Sequence, residues 1–92
     1  MPTLTIKAGS KEISSFEIDT SIIIGRSQDS DIQLDDPAAS LTHAIIDKEG
    51  GEFILRDLGS TNGTFLNKKK ITESELTPGD VIMIGRHFLF FK

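Results

Sequence analysis

An all-β chain folded as an antiparallel β-sandwich is the architecture this sequence predicts, and three observations predict it. Apolar residues recur with a period of two or in runs of strand length, turn signals interrupt the chain every few residues, and helical spacing is hard to find. At 92 residues the chain has room for one domain, expected over 1–92, and it contains no linker, internal repeat or low-complexity tract.

The elements follow in order. Thr3-Leu4-Thr5-Ile6-Lys7 alternates apolar and polar residues, and Ile13, Phe16 and Ile18 continue as a second strand whose irregular step suggests a bulge. Ser21 to Gly25 reads as a third strand, and Ile32 and Leu34 on either side of Gln33 as a short fourth. His43 to Asp47, Phe53 to Leu58, Val81 to Ile84 and His87 to Phe91 complete the pattern. Between them lie Gly9-Ser10, Asp35-Asp36-Pro37, Glu49-Gly50-Gly51, Asn67-Lys68-Lys69 and Thr77-Pro78-Gly79-Asp80, all turn-forming stretches.

Composition narrows the function classes. The chain is 37% hydrophobic and 26% charged, as globular domains are, and no apolar run approaches the ~18 residues of a membrane helix, so no membrane insertion is expected. The formal charge of −4 argues against nucleic acid as a partner, which calls for a basic face. No secretion signal opens the sequence, and with no cysteine there is neither a disulfide nor a thiolate metal site; a reducing, cytoplasmic setting is expected.

One hairpin allows a test of register. A turn centred on Glu49-Gly50 places Ile46 across from Phe53, Ile45 across from Ile54 and Ala44 across from Leu55, matching apolar residues. A turn at Gly50-Gly51 sets Lys48 against Phe53 and Ala44 against Asp57, so the first register is expected. Extended to the open end, either one brings Ser40 opposite Gly59 or Thr61. The segment Gly59-Ser60-Thr61-Asn62-Gly63 holds an Asn-Gly turn signal, and the Ser40 loop should share its edge of the sheet. Ser40 and Thr61 offer hydroxyls, Asn62 an amide, and the glycines a close approach to backbone N–H groups. That chemistry suits a phosphate, whose usual partner is an arginine fork, and Arg26 follows directly on the third strand.

Gly25-Arg26, Asp31-Ile32-Gln33-Leu34, Ser40-Leu41-Thr42-His43-Ala44, Leu58 through Asn67 and Gly79-Asp80 together resemble the forkhead-associated (FHA) domain across nearly the whole chain. The resemblance implies an eleven-stranded β-sandwich that takes phosphothreonine peptides at loops on one end. It implies that Arg26 clamps the phosphate, that Ser40 donates its hydroxyl to it, that Thr61 sits beside it, and that Asn62 holds the peptide backbone. His43 would keep the two loops in place, with Gly25, Gly59 and Gly63 permitting the bends, and Leu41 and Thr42 would line the phosphopeptide site. The partner would be a threonine-phosphorylated protein or peptide, with a Ser/Thr kinase as the upstream modifier and no cofactor.

Two positions depart from the family pattern: Leu41 stands where a basic or amide side chain is common, and Thr42 carries no charge. With one arginine, and charge-assisted bonds contributing about 1.5 to 3 kcal/mol each against the cost of association, affinity is expected to be micromolar or weaker. The same departure motivates an alternative, a phospho-independent interaction or assembly domain with this fold. Lys68, Lys69 and Lys70 read as a solvated hairpin turn, with attraction for the ligand as the competing role. Catalysis is not expected, because Ser40 and His43 have no third orienting partner. Nor is a metal: Asp29, Asp31, Asp35 and Asp36 lack the glycine and glutamate of a calcium loop. His87 reads as a strand residue, and the phenylalanines at 53, 65, 88, 90 and 91 as packing residues.

Overall fold

Alternation buries every second side chain along residues 44–46, 53–55, 81–84 and 87–91, and the structure closes these inward rows on one another. The computed structural model describes residues 2–92, so Met1 of the expected 1–92 domain lies outside it. Among the described residues eleven strands occur: β1 (Thr3–Ala8), β2 (Lys11–Glu17), β3 (Ile22–Gly25), β4 (Ile32–Gln33), β5 (Ala44–Glu49), β6 (Glu52–Asp57), β7 (Thr64–Leu66), β8 (Lys69–Ile71), β9 (Glu73–Leu76), β10 (Val81–Ile84) and β11 (His87–Phe91). They form a six-stranded sheet in the order β2-β1-β11-β10-β7-β8 and a five-stranded sheet in the order β4-β3-β5-β6-β9. All pairs are antiparallel except β3 with β4, which run parallel over Ile24–Ile32 and Gly25–Gln33.

Leu4, Ile6, Ile82, Ile84 and Leu89 from the first sheet meet Ile24, Ala44, Ile46 and Leu55 from the second, all buried. Phe53 and Phe91 close one end of this core, their rings tilted at a centroid distance of 5.8 Å. Phe65, Phe88 and Phe90 are only half-buried, and Lys7 lies over the Phe90 ring at 5.2 Å. In β2 the bulge falls between Ile6 and Lys7 of the partner strand and leaves Ile13 as the extra residue. Ile13 is 53% exposed, so this strand covers the core less completely than its apolar residues suggest.

The β5–β6 register differs from the expected one. Ile46 faces Leu55, Lys48 faces Phe53 and Ala44 faces Asp57, so the loop is Gly50-Gly51. Gly50 has φ 64° and Gly51 stays out of the positive-φ region, the pattern of a two-residue hairpin turn with glycine first. Turn geometry won because the apolar match was a false guide: Lys48 is exposed, whereas Ile46 and Leu55 are fully buried across from each other. Periodicity also passes over β7, β8 and β9, each three or four residues long. The β7–β8 turn uses Asn67 (φ 50°) and Lys68 (φ 73°), two positive-φ residues in succession without glycine.

Candidate functional site

At one end of the sandwich the β3–β4 loop, the β4–β5 loop and the β6–β7 turn meet, and backbone contacts hold the first two together. Arg26 N–H donates to Ser40 O at 3.0 Å, Ser27 N–H to Leu41 O at 3.1 Å, and His43 N–H to Ile24 O at 2.9 Å. Gly25 is what lets the chains approach this closely. A Cβ there would lie 2.1 Å from Leu41 O and 2.9 Å from its carbonyl carbon. The resemblance led us to expect Gly25 to permit a special backbone shape, yet its φ is not positive; the need is for space.

The third segment joins through side chains. Ser40 Oγ accepts the Thr61 N–H at 3.1 Å, so Ser40 does stand opposite Thr61, on the register observed in β5–β6. Having accepted that bond, the Ser40 hydroxyl still has its proton to donate outward. Asn62 Nδ2 donates to Ala38 O at 2.8 Å, and Arg26 Nε to Ala39 O at 3.0 Å. Arg26, Leu41, Thr42, Thr61 and Asn62 are all exposed, and Ser40 is half-buried. An arginine fork, a serine hydroxyl and an exposed turn therefore ring one patch of surface.

Beneath them His43 is fully buried. Its Nδ1 accepts the Ser40 N–H at 3.0 Å and its Nε2 lies 2.9 Å from Gly63 O. An amide must donate and a carbonyl must accept, so the ring is the tautomer protonated on Nε2. One imidazole thus ties the Ser40 loop to the Gly63 turn. The same bonds leave His43 unplaced as a base for Ser40, because it engages that residue's amide and not its hydroxyl. Gly59 (φ 71°) and Gly63 (φ 92°) occupy the left-handed region in this turn.

Residues that periodicity does not single out complete the support. Asp57, the last residue of β6, accepts the N–H and the hydroxyl of Ser60 and, at 2.7 Å, the Thr64 hydroxyl. Ser60 Oγ in turn accepts the Gly63 N–H at 3.0 Å. Burial pushes the Asp57 carboxyl up, but the bonds from Ser60 and Thr64 outweigh it and hold the group below the usual carboxylate range. An aspartate three residues before a serine in a glycine-rich turn is the available sequence signal for such a cap. Behind the β4–β5 loop, buried Asp36 accepts the Arg86 N–H at 2.8 Å, the Ala38 N–H at 2.9 Å and His87 Nδ1 at 3.1 Å. The Arg86 amide leads in holding this carboxyl low. His87 is accordingly a buried strand residue that anchors the loop from the opposite sheet. Of the other acidic residues of this region, Asp31 accepts the Ile23 N–H at 2.7 Å and so clasps β3.

Comparison with known proteins identifies the family to which this fold belongs. The family model for the FHA domain matches residues 22–85. Across 89 residues the chain is 42% identical to the glycogen accumulation regulator GarA of Mycolicibacterium smegmatis, covering 96% of this chain and 56% of that protein. It is 39% identical over the same length to the oxoglutarate dehydrogenase inhibitor of Corynebacterium jeikeium, covering 96% and 62%. The chain thus spans little more than half the length of these relatives. Among solved structures, the FhaA FHA domain complexed with the intracellular domain of Rv3910 superposes with a TM-score of 0.90 at 35% identity, with full coverage of both chains. A structure from work on phosphothreonine-dependent FHA domain interactions superposes at 0.89 with 36% identity, covering 99% and 94%. With the fold, the family model and these relatives in agreement, the chain belongs to the FHA domain family.

Proposed function

We propose that this chain, acting as one domain over 1–92, binds protein segments phosphorylated on threonine after a Ser/Thr kinase has acted on them, in the cytoplasm, without cofactor or catalysis. The observation that carries the reading is the convergence of Arg26, Ser40 and Thr61 on one exposed patch, clamped from below by His43. Arg26 supplies charge-assisted donors to the phosphate, and the Ser40 hydroxyl, its oxygen already accepting from Thr61, gives its proton to another phosphate oxygen. Asn62 is held by Ala38 O and turns its amide carbonyl to the peptide backbone. Thr42 extends the polar rim, and Leu41, 57% exposed, offers an apolar contact beside it. The phosphothreonine dependence named for the related FHA structure supports the choice of ligand.

Calorimetric titration with matched phosphorylated and plain threonine peptides tests this. The phosphopeptide binds at micromolar affinity or weaker, the plain peptide does not, and Arg26→Ala removes the difference. The exposed, uncharged Leu41-Thr42 pair favours one second reading, a phospho-independent assembly domain. In that case Arg26→Ala leaves partner binding intact.

A further inference from the structure

Lys70 lies where one side chain can extend the rim described above. In the β7–β8 pair Lys70 faces Phe65, on the side of the sheet away from the buried Thr64 and Leu66. From there its stem leans back over Gly63. A Cβ on Gly63 would meet Lys70 Cε at 2.9 Å and a Phe65 ring carbon at 3.4 Å. Gly63 is therefore the floor on which the lysine stem rests, and the ammonium, one bond beyond Cε, stands beside the Asn62-Gly63 turn. Lys70 is exposed and has no ion pair among the described residues.

Arg26 and Lys70 approach the turn from different sheets, Arg26 at the end of β3 in the five-stranded sheet and Lys70 in β8 of the six-stranded one. Between them Asn62 leans toward Ala38, on the Arg26 side. A phosphate gripped by Arg26 and Ser40 is thus separated from Lys70 by the turn itself. We propose that Lys70 is a second cationic contact for the ligand and reads an acidic side chain next to the phosphothreonine, setting a preference for phosphothreonine in acidic sequence. This inference rests on the phosphopeptide reading and specifies the ligand it takes.

The test compares two phosphothreonine peptides, one neutral around the phosphoresidue and one with glutamates on both sides. The protein favours the acidic peptide by about two- to five-fold, the range of an exposed ion pair, and the preference shrinks in high salt. Lys70→Met keeps an apolar stem over Gly63 and removes the charge, so it brings the ratio to about one while affinity for the neutral peptide holds. Lys70→Glu reverses the preference, and Lys68→Met, in the turn, leaves it. An unchanged ratio in Lys70→Met overturns the inference alone, as does an equal loss for both peptides, which would place the lysine's action on the phosphate. Absence of binding to either peptide by the unmodified chain overturns the phosphopeptide reading, and the inference with it.

Discussion

Arg56 and Asp57 are consecutive in β6 and turn to opposite sides of the sheet, and each makes three polar contacts, Arg56 with three carboxylates and Asp57 with two residues of the neighbouring turn. Arg56 reaches Asp47 and Glu49 at 2.6 Å and Glu73 at 2.9 Å, on a face where its own side chain is 29% exposed. Among the described residues Asp57 makes no ion pair; it takes the amide and hydroxyl of Ser60 and the hydroxyl of Thr64, and it does so under the rim. The ion pairs have the larger formal charge and the smaller consequence, since water screens exposed pairs and the side chains lose rotamer freedom in making them. Directed bonds in a sheltered turn hold position more strongly because nothing replaces them when they are lost.

The sharpest contrast between sheltered and open positions is predicted for glycine. Gly25→Ala places a methyl against Leu41 O, a backbone atom fixed by the Ser27 N–H, so the two loops must separate. We expect a loss of about 3 kcal/mol or more in urea denaturation, together with loss of phosphopeptide binding. Gly51→Ala, in open space at the far hairpin and without positive φ, should fall within about 0.5 kcal/mol of the unmodified chain. Equal losses at the two sites would show that loop contact at the rim carries no special weight.

Next in size comes Asp57→Asn. The new amide N–H meets groups that themselves donate, and the cost is about 1 to 3 kcal/mol. The effect has a pH signature. A carboxyl whose folded pKa lies below its unfolded value of 3.8 stabilises the fold above that value, and the contribution disappears as pH falls through the folded pKa. Asp36 and Asp80 are held low as well, Asp36 chiefly by the Arg86 amide; for Asp80 burial works the other way and is outweighed by bonds from Thr77 and Asn67. Stability should therefore fall on acidification below about pH 4. The slope should be shallower in Asp57→Asn, measured by urea midpoints across pH 2 to 6. An unchanged slope would mean that Asp57 titrates as it does in the unfolded chain.

How much of this was legible in the sequence follows from what each signal encodes. Alternation or a short apolar run between turn signals marks a strand, so β1 to β6, β10 and β11 were readable, while β7, β8 and β9, which show neither clearly, were not. The sandwich itself was thus predictable, and the eleven-strand count came with the family resemblance. Register failed because apolar matching ranked Ala44 with Leu55, whereas the Gly50-Gly51 loop fixes the ladder two residues away. The meeting of Ser40 with Thr61 survived that error, since one of the two registers considered contains it. Arg26 is different in kind. Its place beside Ala39 depends on a parallel β3–β4 pair and on a glycine chosen for space, and no local pattern announces either. Asp57 leaves a local signal, a serine three residues on in a glycine-rich turn, whereas Asp36 acts through the Arg86 amide fifty residues away, which only the fold reveals.

Among the side-chain replacements, the smallest predicted effect belongs to the residue with the most salt bridges. Arg56→Gln leaves Asp47, Glu49 and Glu73 facing one another, so the loss combines three weak attractions with some carboxylate repulsion. All four groups keep access to water, so the loss should be smaller than that of Asp57→Asn even in low salt. Raising salt to about 1 M shortens the screening length to roughly 3 Å and should bring variant and unmodified chain together. Phosphopeptide affinity should not change, because Arg56 faces away from the rim that Asp57 supports. A loss as large as that of Asp57→Asn, persisting at high salt, would mean that the outer face of β5, β6 and β9 is held as rigidly as the rim. Exposure would then not be what separates these two neighbours.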